Sequence, residues 1–246
     1  MRLSKAWLIA ARDFKIFRRV KNVWYSIIVF PVIISVLFPV VLEFAGRRSH
    51  GLTAAAQLPG LLNSFSFFLV IGAAFVPLGI ASYSIVGEKV EKSLEPLLAT
   101  PLTDGEILLG KAISAIVPTL VAMYAAAVVF MVGIDEVAFS KLGYYYFPNW
   151  TIATLLIVLM PVAVVMSVEF SIIVSSRVND VRSASSFGIL MLFPLLGIYL
   201  ASETGIISLD INSLLIISGV LLAVDVALFF VSTATFSREE ILTKWK

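Results

Sequence analysis

Six stretches of this chain are apolar over membrane-crossing length, and the polar residues collect between them. A hydrocarbon core takes about 20 helical residues to cross, and on that measure the pattern predicts spans over 23–44, 65–86, 113–132, 151–175, 184–201 and 214–234. Pro31, Pro39, Pro77, Pro118, Pro161 and Pro194 fall inside these runs. They are expected to bend the helices rather than end them, because neighbouring groups satisfy the freed carbonyls. Ala184 and Gly188, four residues apart, suit close helix packing. The first run is too long for a cleaved secretory segment and is read as a retained helix. No internal repeat and no linker divides the chain, so 1–246 is read as one transmembrane domain.

The basic residues orient the spans. With the N-terminus inside, the cytoplasmic pieces hold Arg2, Lys5, Arg12, Lys15, Arg18, Arg19 and Lys21, then Lys89, Lys92 and Lys111, then Arg177 and Arg182, then Arg238, Lys244 and Lys246. Only Arg47, Arg48 and Lys141 fall outside. The bias predicts both termini in the cytoplasm. It also brings Tyr144, Tyr145, Tyr146, Phe147 and Trp150 to the outer entrance of the fourth span, and Trp24 and Tyr25 to the inner interface, where amphipathic rings belong.

Two polar stretches depart from simple connectors. Before the first span, Leu3, Trp7, Ala10, Phe14 and Phe17 recur at helical spacing, with Lys5, Arg12, Lys15 and Arg19 mostly away from them. Residues 1–22 are therefore read as an interfacial amphipathic helix, basic side toward anionic headgroups. Between the second and third spans, 87–112 carries dense charge, and Val90, Leu94, Leu97 and Leu98 line one face of a helix that Pro96 must start or bend. Thr103 and Glu106 then have capping-box spacing, which starts a second helix running through Gly110 and Lys111 into the third span. The predicted element is a cytoplasmic helical hairpin turning at Pro101, and it reads as a docking element for a soluble partner.

Composition agrees with a membrane protein: 60% hydrophobic residues, 14% charged and a mean hydropathy of +1.02. A net charge of +2 is too small to suggest nucleic acid. With no Cys and His50 as the one histidine, neither disulfides, thiol chemistry, a histidine metal site nor a catalytic triad is expected. Gly105 to Lys111 matches the phosphate-binding pattern G-x-x-x-x-G-K, but Ala112 stands where a Mg²⁺-binding hydroxyl belongs, and the Ile107-Leu108-Leu109 interior reads as a helix face. The run Val220 to Asp225 imitates a nucleotide-site strand yet lies within a span. No nucleotide site is read in this chain.

Glu169 and Asp225 are the acids inside predicted spans, where a charge at a helix centre costs about 2.5 to 3.5 kcal/mol on insertion scales. They are candidate contacts for a cationic substrate or a coupling ion. The structural alternatives are an interfacial Glu169 reaching toward Arg177 and a protonated or hydrogen-bonded Asp225. An intramembrane aspartyl protease needs two such Asp residues, and only Asp225 qualifies.

Glu88-Lys89 through Leu94-Glu95-Pro96-Leu97-Leu98-Ala99-Thr100-Pro101-Leu102, followed by Glu106 to Lys111, resembles the signature loop of the type-2 ATP-binding-cassette permease family. Ser175 to Ala184 is similar to that family's loop between spans four and five, and Phe236 to Leu242 to its common ending. The resemblance covers nearly the whole chain. It implies an all-α integral membrane protein with six transmembrane helices, serving as the permease subunit of an exporter in the cell membrane. Two such subunits, as a homo- or heterodimer, form the pathway among membrane lipids, and each docks a separate ATP-binding subunit. In that reading Glu88, Val90, Glu91, Leu94, Glu95, Leu97 and Leu98 belong to the coupling helix seated in the ATPase, and Trp7, Phe14 and Phe17 to the connecting helix beside it. ATP and Mg²⁺ are bound and hydrolysed in the partner; this chain is expected to be no enzyme and to hold no cofactor or metal. Family members often carry a longer re-entrant segment between spans five and six than 202–213 supplies here.

Two rival readings share the membrane fold. An ion-gradient-driven secondary transporter would work through Glu169 and Asp225 but has no need of the hairpin. A non-transporting scaffold would use the hairpin and leave the acids unexplained.

Overall fold

A computed structural model describes residues 3–17, 21–48, 52–88, 100, 102–178 and 180–235. Among these residues there is no strand. Helix α1 (Leu3–Phe17) precedes α2 (Lys21–Arg48), and α3 (Leu52–Ser82) runs into a π turn, Tyr83–Gly87. Helix α4 (Asp104–Leu142) follows, then α5 (Trp150–Thr154), a second π turn (Leu155–Leu159) and α6 (Met160–Arg177). The described residues end with α7 (Val181–Gly188), a short 3₁₀ turn (Ile189–Met191), α8 (Leu192–Glu203) and α9 (Ile211–Thr235). These elements contain six helices long and apolar enough to cross a membrane, one for each predicted span.

The prolines act in two ways. Helices α2 and α4 continue through Pro31, Pro39 and Pro118 without a change of winding. Ahead of Pro161 and Pro194 the winding does change, to a π turn in one case and a 3₁₀ turn in the other. The cause is local: a proline has no N–H for the carbonyl one turn back, and the ladder re-pairs around the gap.

The second and fourth spans form the centre. In the second, 72% of the residues are buried and in the fourth 56%, against 22% in the sixth. Helix α3 packs on α6, α6 on α9, and α2 on both α3 and α4. Since lipid is as apolar as leucine, something other than hydrophobicity must hold the α3–α6 pair, and hydroxyls do so. Ser167 Oγ donates to Ala74 O at 2.5 Å, Ser171 Oγ lies 3.4 Å from Leu78 O, and the Ser82 and Ser171 hydroxyls meet at 3.1 Å. Ala184 is fully buried, and at Gly188 an added Cβ would sit 3.0 Å from Leu78 Cδ2, so the small pair read from the sequence brings α7 close to α3.

One end of the bundle carries α1, Glu88, Lys111, Arg177 and Arg182, and is called the basic end below. The opposite end is closed by the turn after α4, where Gly143 takes φ 77°, a left-handed cap that favours glycine. There Asp135 Oδ1 accepts the Tyr146 and Phe147 N–H groups, each at 2.9 Å. Trp150, Tyr144 and Tyr145 stand exposed beside it.

Helix α1 forms where a helix was expected but presents a different face. Its buried stripe is Ala6, Ile9, Ala10, Asp13 and Phe17, sharing only Ala10 and Phe17 with the expected one. Trp7 is 54% exposed and touches Phe14 edge-on at 6.3 Å. The reason is steric. At Gly110 of α4 an added Cβ would lie 2.7 Å from Ile9 Cβ and 2.8 Å from Ala6 O, so α1 sits backbone-close on α4 through its Ala6 and Ile9 face, which the missing side chain of Gly110 admits.

Candidate functional site

Where α1, the end of α3 and the start of α4 converge, four charges meet. Lys111 of α4, the residue after Gly110, is completely buried and held by α1 and by the end of α3. Its Nζ donates to Glu88 Oε2 at 2.7 Å and to Ser84 O at 2.5 Å, and lies 3.7 Å from Asp13 Oδ2. Arg12 pairs with Glu88 Oε1, and its Nη2 lies 3.3 Å from Asp13 Oδ1. Ser84 Oγ donates to Asp13 Oδ2 at 3.3 Å. Two cations and two carboxylates leave the cluster neutral, which is the condition under which ions persist in a dry interior. Asp13, Glu88 and Lys111 are buried, while the Arg12 side chain is partly exposed at the rim.

Each ion is placed by its backbone. Asp13 lies one turn beyond Ile9 on the face of α1 that Gly110 admits. Glu88 follows the π turn, whose wider winding accompanies the reach of Ser84 O to Lys111. Phe17 meets Tyr83 of that turn edge-on at 6.5 Å. Beyond Glu88, the next fixed point is the predicted capping box at the start of α4. Glu106 N–H donates to Thr103 Oγ1 at 3.3 Å and Thr103 N–H to Glu106 Oε2 at 3.1 Å. The segment between Glu88 and Thr103 is thus rooted at both ends in the bundle.

Of the residues assigned to docking by the sequence, Val90, Glu91, Leu94, Glu95, Leu97 and Leu98 lie outside the described residues, and with them the first helix of the expected hairpin. The second is present as the start of α4. Glu88 is described, and its carboxylate is turned inward to Lys111 and Arg12. Arg12, read as a headgroup contact, belongs to the same cluster, and Lys111, read as a marker of orientation and as the end of the signature loop, is its centre. The sequence did hold one sign of this: Asp13 is an isolated acid in a basic segment, at helical spacing from Ile9, Ala10 and Phe17. Gly105 to Lys111 lies on continuous α4 and Val220 to Asp225 on α9, so neither forms a phosphate loop or a nucleotide-site strand.

Glu169 and Asp225 lie on α6 and α9, two helices that pack together. Asp225 is 3% exposed, and neither of its oxygens has a hydrogen-bond partner; Glu169 Oε2 is likewise buried and unpartnered. Among the described residues no group of three His, Cys, Asp or Glu side chains is placed to hold a metal ion.

No curated protein matches the chain. A family model described as ABC-2 family transporter protein matches residues 7–214. With that match running from α1 into the start of the sixth span, the chain belongs to the ABC-2 family of transporters, as a membrane-spanning permease component.

Proposed function

We propose that this permease works as an exporter driven by ATP hydrolysed in a separate ATP-binding subunit, with 89–101 as the element that the subunit grips. The observation that carries this reading is the double anchoring of that segment: the Glu88–Lys111–Asp13–Arg12 cluster at one end and the Thr103–Glu106 box at the other. A push on a segment rooted in this way passes to α3 at one end and α4 at the other, and to α1 through Asp13 and Arg12. Because packed helices shift as units rather than deform, such a push is converted into relative movement of the second and third spans. In this scheme both termini and the basic end face the cytoplasm of the cell membrane, two permease subunits frame the pathway, and the exposed ring of Trp7 and the half-buried ring of Phe14 contact headgroups or the ATPase. Leu94 and Leu97 supply the apolar docking face, and ATP and Mg²⁺ stay in the partner.

The test is co-purification of an ATP-binding subunit co-expressed with this chain. Leu94→Asp with Leu97→Asp is expected to abolish it while membrane insertion persists, since each buried Leu contributes about 1.5 to 3 kcal/mol and each Asp adds an unpaired buried carboxylate. Unchanged co-purification would place the contact elsewhere.

The unpartnered acids favour a second reading, transport driven by an ion gradient through Glu169 and Asp225. Transport in vesicles that requires ATP and the partner, and survives collapse of ion gradients, eliminates it.

A further inference from the structure

The sixth span is the least buried of the six, yet it turns its one charged residue inward. Leu214, Ser218, Leu221, Asp225 and Ser232 form the buried stripe of α9, at spacings of four, three, four and seven residues, while Val220, Leu222, Val224 and Val226 beside them are exposed. Asp225 is therefore placed against α6 rather than tolerated at a lipid-facing position. It lies ten residues before Thr235, about 15 Å along the helix, and Glu169 lies eight residues before Arg177, about 12 Å. Both depths fall well inside the bilayer on the side of the basic end.

Other buried polar groups in the spans look after themselves. Ser218 Oγ donates to Leu214 O at 2.7 Å, Ser66 Oγ to Leu62 O at 2.7 Å, and Thr119 Oγ1 to Ala115 O at 2.8 Å, each within its own helix. Asp225 is the exception, with two buried and unpartnered oxygens, joined by Glu169 Oε2. The elements packed on α9 are α6, α5, the second π turn and α4. Their remaining described charges are Arg177 at the end of α6, and Asp104, Glu106, Lys111, Asp135, Glu136 and Lys141 toward the ends of α4; α5 and the π turn have none. Among the described residues no donor reaches either Asp225 oxygen or Glu169 Oε2.

We propose that Glu169 and Asp225 form an intramembrane exchange site that takes up one small monovalent cation in trade for a proton. Charge sets the stoichiometry. Two carboxylates are neutralised at rest by two protons, and after exchange by one proton and one monovalent cation. Among the described residues no third His, Cys, Asp or Glu joins the two to form a metal-binding group. The partly exposed Glu169 is the point of entry and the buried Asp225 the deeper ligand. An intramembrane acid without a basic partner is the usual mark of an ion or proton pathway.

The site belongs to this chain, so the test needs no ATPase, and failure to find a partner subunit leaves it untouched. The full chain in lipid nanodiscs, in weak buffer with a pH dye, receives sodium, potassium or methylammonium chloride, with choline chloride as the ionic-strength control. At least one small cation is expected to release protons approaching one per chain, choline none, with apparent affinity rising about tenfold per pH unit while protons compete. Infrared difference spectra should lose a protonated-carboxyl band on cation addition. Asp225→Asn, eluting as wild type on gel filtration, should abolish both signals, and Asp225→Glu should retain them. Wild-type silence toward all three cations overturns the proposal, as does equal release by choline or persistence of release in Asp225→Asn.

Discussion

The chain buries carboxylates in two places and treats them oppositely. At the basic end Asp13 and Glu88 are paired with Lys111 and Arg12, with Ser84 filling in, although Asp13 Oδ1 and Arg12 Nε have no hydrogen-bond partner among the described residues. On the packed helices α6 and α9, no donor among the described residues reaches either Asp225 oxygen or Glu169 Oε2. Burial alone therefore does not tell a structural ion from one held ready for exchange. Pairing does: in the first cluster each carboxylate has a cation beside it, whereas the second has none among the described residues.

The contrast predicts mutational effects of opposite sign. The largest belongs to Lys111→Met, which leaves two buried carboxylates with Arg12 as the one remaining cation of the cluster among the described residues. A loss of about 3 to 5 kcal/mol is expected, read as thermal unfolding of the chain in lipid nanodiscs, and adding Asp13→Asn to the Met variant should recover part of it. An unchanged midpoint for Lys111→Met would show that the cluster holds nothing together. Next is Asp225→Leu, which should stabilise the fold by about 1 to 3 kcal/mol by removing two unsatisfied oxygens while ending cation-induced proton release. A fall in the same midpoint would mean that Asp225 is a packing group with hidden partners, and the comparison would collapse.

Smaller effects probe the flanks. Thr103→Ala removes the capping box and should cost about 1 kcal/mol, with faster amide exchange confined to the first turn of α4. Exchange spreading through the whole helix would contradict a local role. The smallest effect concerns Asp180 at the start of α7, which accepts from Ser183 N–H at 2.9 Å and from Ser183 Oγ at 3.1 Å. These donors hold its carboxyl below the usual carboxylate range. Its contribution to α7 is present above the unfolded-state value and is lost as pH falls through the folded one. Protection of the Ser183 amide should accordingly drop on acidification, and should be low at every pH in Asp180→Ala.

The six spans were legible because length and apolarity are properties of a local window, and Thr103 with Glu106 because a capping box is spelled within four residues. The face of α1 was not. Leu3-Trp7-Ala10-Phe14-Phe17 and Ala6-Ile9-Ala10-Asp13-Phe17 are both helical stripes of the same segment, and what chooses between them is a glycine a hundred residues away. The basic-end cluster escaped for the same reason, its Arg12–Glu88 pair being separated by 76 positions. Glu169 and Asp225 stood out individually, since any acid in an apolar run does, but the packing of α6 on α9 belongs to the tertiary structure.

The Lys111 cluster also sets an order of events in time, because a chain is made from its N-terminus. Arg12 and Asp13 leave the ribosome first, Glu88 follows after two spans, and Lys111 comes last. Until then two carboxylates share one cation, and α1 has no Gly110 surface to rest on. Final seating of the N-terminal helix must therefore wait for the third span, so a nascent chain halted before residue 111 carries its first helix undocked.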